Sequence, residues 1–296
     1  MWYLMGSIVL TSYLTLSFKI CEKYGVSVFQ AIVFNYLICV ITGSVVNGSF
    51  PVGSETLHTL WFRWACVMGV LFIAIFNIIA LTTQTISVAV ASVANKLSLI
   101  IPVILSVWLY HESVKIWQLF GIILALIAVI LTCYQPTVSE QKSSSIKNKW
   151  KYILPFVLFL GSGLLDSLIN HVQKTYVSPT NSNAYLISGF LSAATIGTTI
   201  LLIQYLRKKQ VFEFKNLLAG ILIGIPNYFS IWCLVHFLKE SPWQSSASIP
   251  VNNMGIVLFS SVVAWGLFKE RLLIINWIGI ILSGVAIYFI AFGSNF

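Results

Sequence analysis

Lys96 sits inside the run VANKLSLIIPVILSVWLYHE (93–112), which is long and apolar enough to enter a bilayer. An ammonium at the centre of a membrane helix costs roughly 2.5–3.5 kcal/mol. Its side chain reaches about 6 Å, short of an interface some 15 Å away. Two arrangements offset that cost: a buried ion pair, or a water-filled cavity where the amine holds an anion. Asp166, in GSGLLDSLINH, is the deepest carboxylate and the expected partner. Asn170 follows one turn on, on the same helical face, and His171 lies on another face. A carboxyl in such a place can bind and release a proton as its partner comes and goes. A static Lys96–Asp166 bridge is the competing reading.

Further polar groups could complete a site. Pro226 in GIPNYFSIW removes a backbone donor and frees a carbonyl, with Asn227 and Tyr228 next in line. A helix broken in this way can line a transport site; a simple kink, with Asn227 satisfying the carbonyl, is the alternative. In SIPVNNMG, Asn252 and Asn253 follow Pro250. Asn253 matches Asn95, the neighbour of Lys96, when the chain is slid by 158 positions. The expected substrate-binding set is therefore Lys96, Asn95, Asn227, Tyr228, Asn252 and Asn253, with Asp166 and Asn170 for ion pairing or coupling. Asn35, Asn77, Gln84 and His236 read as polar glue between helices. Glu112 and Glu270, near Lys115 and Arg271, read as interfacial anchors or gates. Trp108, Trp232 and Trp265 are candidates to cover an apolar portion of a substrate, and Trp243 reads as a belt residue. Gly220 and Gly224 have the GxxxG spacing that lets helices approach closely.

The elements that must position these residues are membrane helices. Of 296 residues, 58% are hydrophobic and 8% charged, against about 25% charged in soluble domains; mean hydropathy is +0.91. Runs of about twenty apolar residues occur at 2–21, 28–46, 60–82, 85–109, 116–134, 152–173, 184–206, 216–238, 245–267 and 273–292. The first reads as a membrane helix, not a cleaved signal. The polar stretch 135–151, rich in Ser and Lys, reads as a linker. It separates a first five-helix repeat, 1–134, from a second, 152–296. The net charge of +9 lies in short loops and comes without nucleic-acid motifs. Five scattered cysteines read as packing residues.

The halves match at several places. Leu109, Glu112 and Gly121-Ile122-Ile123-Leu124 meet Leu267, Glu270 and Gly279-Ile280-Ile281-Leu282 at the 158-residue shift. An odd number of spans per half makes two homologous units inverted, the architecture of alternating-access transporters. The expected fold class is thus an all-α integral membrane protein, ten transmembrane helices in two inverted five-helix repeats around a central cavity. The segments SVAVASVANKLSLIIPVILSVWLYHESVKIWQLFGIILALIAVIL and SASIPVNNMGIVLFSSVVAWGLFKERLLIINWIGIILSGVAIYF resemble the drug/metabolite transporter superfamily, of the EamA-like type. Each has a small-residue start, a long helix ending Leu-aromatic-x-Glu, a basic turn and Gly-Ile-Ile-Leu. The resemblance implies ten helices around a cavity and no ATP hydrolysis. It departs at Lys96, where many members have apolar or hydroxyl residues, so members' substrates do not carry over.

Twelve basic residues lie in the loops after spans 1, 5, 7 and 9, and four (Arg63, Lys115, Lys174 and Lys239) on the other side. The positive-inside rule then places both termini outside, whereas the family is usually drawn with them inside. No phosphate loop, zinc-protease or nucleophile-elbow motif occurs, and no cofactor or metal is expected. The expected activity is secondary active export of a small polar or zwitterionic, amino-acid-like metabolite across a bacterial inner membrane. A proton or Na+ is the candidate coupling ion, and the carrier works as monomer or homodimer. The alternatives are a translocator of lipid-linked or nucleotide sugars and, in another class, a membrane-embedded enzyme.

Overall fold

The computed structural model is built from α-helices, with no strand among the described residues, which are 1–85, 88–111, 114–132, 134, 150–268 and 273–293. The linker positions 135–149 and Glu112, Cys133, Lys269, Glu270 and Arg271 lie outside them. The helices are α1 (Trp2–Lys23), α2 (Val28–Asn47), the short α3 (Ser54–Leu57), α4 (Leu60–Thr85), α5 (Val88–Leu97) and α6 (Ile100–Tyr110). Then follow α7 (Ile116–Thr132), α8 (Trp150–Thr175), α9 (Ser182–Leu206), α10 (Phe214–Glu240), α11 (Ser245–Phe268) and α12 (Ile274–Phe292). Eight stretches among the described residues are long and apolar enough to cross a membrane, and Trp2–Leu14 and Ile116–Thr132 are shorter apolar helices. A helix satisfies its backbone internally, as hydrocarbon requires. The chain is an α-helical multi-pass membrane protein.

One expected span is interrupted. The run 85–109 forms two helices, α5 and α6, with a turn at Ser98 and Leu99. Pro102 has no N–H to give the Ser98 carbonyl. That carbonyl accepts instead from Ile101 N at 2.9 Å, and the Lys96 carbonyl from Leu99 N at 3.3 Å. Pro226, read as breaking or kinking its helix, does not interrupt it. Through Pro226, α10 continues, because the carbonyl it frees, that of Leu222, accepts from the Tyr13 hydroxyl of α1 at 3.3 Å. Pro250 lies in the second turn of α11, which runs on to Phe268.

The chain divides into two compact units: Met1–Asn77 with Leu165–Pro242, and Ile78–Leu164 with Trp243–Phe296. The division does not follow the linker, since each unit takes helices from both sides of it. In the first unit α10 packs against α1 and α2, and α2 also against α9. The Gly220–Gly224 pair seats α10 on α2: a Cβ on Gly224 would stand 2.8 Å from the Asn35 carbonyl oxygen. Gly69 does the same for α4 on α9, its Cβ position 2.6 Å from the Gly189 carbonyl oxygen. Between α2 and α9, Gly43 faces Ile187 and Gly197 faces Val33.

In the second unit α7 and α12 pack antiparallel along their lengths, and α11 packs on α12, α6 and α7 and meets α5. Two glycines make the α7–α12 crossing. A Cβ on Gly121 would lie 2.9 Å from Ile290 N and Phe289 Cβ, and one on Gly279 would lie 2.5 Å from Thr132 N. Two amides fasten the ends. Gln118 accepts the Lys115 N–H at 3.1 Å and donates to the Ile290 carbonyl at 3.5 Å. Asn276 accepts the Leu273 N–H at 2.8 Å and donates across to the carbonyls of Leu131, Thr132 and Tyr134 at 2.7–3.1 Å. Each amide thus caps its own helix and satisfies last-turn carbonyls of the other.

Candidate functional site

The second unit holds Lys96, Asn95, Asn252 and Asn253. Lys96 is not at mid-helix, as its place in an unbroken span would have it. It occupies the last turn of α5, immediately before the break, and is partly buried. The last carbonyls of a helix carry the negative end of its dipole, so a cation there is favoured. The Ser98 hydroxyl donates to the Asn95 carbonyl at 2.5 Å, tightening the turn. Gly163 of α8 comes against this break: a Cβ there would lie 2.9 Å from the Ser98 carbonyl oxygen and 2.6 Å from Ile101 Cβ. Any larger residue would push α8 off the turn.

Helix α11, which packs on α6 and meets α5, carries the asparagine pair. Asn252 and Asn253 are 4% and 8% exposed, and the Asn252 Oδ1 is buried without a hydrogen-bond partner. A buried acceptor left unpaired costs roughly 1–3 kcal/mol, which makes this oxygen a candidate contact for a donor. The second unit therefore brings onto packed elements an ammonium, a helix break and a buried amide oxygen with no protein partner.

The first unit holds Asp166, Asn170, Asn227 and Tyr228. Asp166 and Asn170 share a face of α8, and Gln173 extends it, at positions i, i+4 and i+7. Asn170 and Gln173 are 3% and 4% exposed, and neither polar atom of the Gln173 amide has a partner. Gln173 was missed in the sequence because it lies near the end of its span, where an amide draws no notice. Its spacing from Asp166 and Asn170 was the available signal.

Asn227 bonds to protein: its amide donates to Asn35 Oδ1 of α2 at 3.1 Å, and its carbonyl accepts from the Ser230 hydroxyl. It thus ties α10 to α2 and does not satisfy the carbonyl freed by Pro226. Asn35 works as polar glue, as expected. Tyr228 is fully buried, its ring 6.2 Å from that of Phe190, and its hydroxyl has no partner. The Tyr36, Tyr185 and Ser188 hydroxyls of this unit are likewise buried and unpaired. Trp232 donates to Asn183 Oδ1 and packs its ring at a tilt against His236, while Trp108 and Trp265 are 71% and 48% exposed. An apolar groove of about 520 Å³ on α6 and α7 is lined by Trp108, and by none of the expected polar substrate-binding or coupling residues.

No family model matches the chain. It is similar to an uncharacterized protein of Haemophilus influenzae, 24% identical over 276 residues that cover 91% of this chain and 90% of the relative. It also resembles a solved crystal structure of a protein, with a TM-score of 0.74 at 14% identity, covering 100% of this chain and 98% of the other. At that identity the likeness is one of fold.

Proposed function

We propose that the chain is a secondary transporter of the EamA-like drug/metabolite type, exporting a small zwitterionic, amino-acid-like metabolite across a bacterial inner membrane by alternating access. The carrying observation is the membrane span broken at Ser98 and Leu99, with the Lys96 ammonium in the turn before the break. Irregular backbone at membrane depth is tolerated only inside protein or beside a water-filled cavity, and broken helices mark transporter sites. In this reading Lys96 takes the ligand's carboxylate, and Asn95, Asn252 and Asn253 complete the polar contacts. Asp166, with Asn170 beside it, takes the coupling ion, a proton or Na+. Tyr228 keeps its hydroxyl for the cycle, while Asn227 holds α10 on α2. The basic loops lie in the cytoplasm and both termini outside.

Packing registers support two inverted five-helix repeats. Gly121 meets Phe289 and Ile290, and 158 positions on, Gly279 meets Leu131 and Thr132, themselves 158 positions before Phe289 and Ile290. Gln118 and Asn276 are separated by the same shift, and so are the N–H groups they cap and the carbonyls of Thr132 and Ile290. In the first unit Gly43–Ile187 and Val33–Gly197 are related by a shift of 154. Reciprocal contact at constant shift is what a twofold axis between homologous segments produces.

The test is counterflow of labelled amino acids in proteoliposomes. Losing one charge-assisted contact of about 1.5–3 kcal/mol, Lys96→Met remains helical and raises KM at least tenfold. Transport by Lys96→Met at the wild-type rate removes Lys96 from the site. A chemically altered ligand would make the protein an enzyme.

A further inference from the structure

At one end of the first unit two turns form a single surface. The turn at 24–27, between α1 and α2, is tied to the turn at 207–213, between α9 and α10. Ser27 N donates to Asn216 Oδ1 at 3.0 Å, Asn216 donates to Gln30, and Gln30 donates to Gln210 Oε1 and the Val211 carbonyl. Gln30 and Asn216 are each 1% exposed, so this amide network is a buried clamp that fixes both turns. The clamp gives the surface a definite shape before any partner arrives.

The surface combines two chemistries. Arg207, Lys208, Lys209 and Lys215 are exposed cations, and the left-handed backbone at Lys208 (φ 54°) turns the chain sharply within this group. Lys215 Nζ lies 2.8 Å from Glu213 and 4.0 Å from the Cβ position of Gly25, so the basic group reaches the neighbouring turn. Around them Tyr24, Leu206, Val211 and Phe214 are 68–75% exposed, and Phe212 is held edge-on by Phe34. Cations alone would suit water or an acidic protein. Cations interleaved with exposed aliphatic and aromatic groups suit the boundary between phosphates and acyl chains.

The depth agrees. Helices α9 and α10 are 25 and 27 residues long. At about 1.5 Å per residue they outrun a hydrocarbon core of about 30 Å, so the turn between them emerges among headgroups.

We propose that this clamped, basic and apolar surface is a docking platform for anionic phospholipid headgroups. Each juxtamembrane cation gives about a fivefold gain in association with an anionic surface. Neutralising three should weaken it on the order of a hundredfold.

The experiment titrates phosphatidylglycerol, or phosphatidylcholine with the same acyl chains, into the full-length protein in neutral detergent and follows thermal unfolding. Phosphatidylglycerol raises the melting temperature at concentrations where phosphatidylcholine does not, and inorganic phosphate has no effect. The variant R207Q/K208Q/K209Q melts like the wild type without lipid, but needs about a hundredfold more phosphatidylglycerol for the same shift. The charge-matched variant R63Q/K115Q/K174Q keeps the wild-type response. The proposal is overturned by equal responses to the two lipids, by an intact response in the first variant, or by a lost response in the second. A shift reproduced by inorganic phosphate overturns it too, because the ligand would then be a free anion. None of these readouts depends on transport.

Discussion

Asn276→Ala and Gln118→Ala should destabilise the second unit unequally, by amounts their geometries set. Asn276 makes a 2.8 Å cap to Leu273 N and donates across to three carbonyls at the end of α7, the shortest contact being 2.7 Å. Losing an N-terminal cap costs about 1 kcal/mol. Losing the cross-helix donor costs another 1–2 kcal/mol or so, because last-turn carbonyls lose their partner beside a packed helix. The expected total is about 2–3 kcal/mol. Gln118 makes its cap at 3.1 Å, but its cross-helix contact is 3.5 Å, at the limit of a hydrogen bond. Its removal should cost little beyond the cap, about 1 kcal/mol. The measurement is reversible unfolding in mixed micelles, followed by circular dichroism at several denaturant fractions. A Gln118 variant as damaged as the Asn276 variant would refute the reasoning from distance. Two unaffected variants would refute the assignment of the amides as fasteners.

Two further outcomes follow from the packing. Tyr228→Phe removes a buried hydroxyl without a partner, so stability should hold or rise by up to about 1 kcal/mol; a loss of more than 1 kcal/mol in thermal unfolding would mean that the hydroxyl is satisfied by bound water or ligand. Gly279→Leu drives a side chain into Thr132 N, 2.5 Å from the first added carbon, and should cost more than about 2 kcal/mol because backbone cannot yield. Gly266→Ala, where a Cβ meets nothing within 4 Å, serves as the neutral control in the same assay.

The helices were legible because hydrocarbon leaves little choice: each of the ten apolar runs carries helix. The GILIG spacing also announced a close helix approach, though not that its partner is α2. The break before Pro102 was not legible, and neither was the continuity through Pro226. Both depend on who answers the freed carbonyl: for Leu222 it is Tyr13, 209 positions away, and for Ser98 it is a local turn beneath Gly163. Tertiary partners decide whether a proline kinks, breaks or does nothing, and sequence spacing does not reveal them. The bond from the Asn227 amide to Asn35, 192 positions away, was hidden for the same reason. The stripe of Asp166, Asn170 and Gln173 obeys helical periodicity, and all of it could have been read.

The pairing of α7 with α12 also bears on synthesis. At about 5–20 residues per second, roughly 8–30 s separate the emergence of Gln118 from that of its counterpart Asn276. Throughout that interval the glycine seam of α7 and its uncapped last carbonyls face lipid or the insertion machinery. Helix α12 is therefore the one that seals this seam, and a chain stalled before Leu273 presents an unlatched α7 for quality control to recognise.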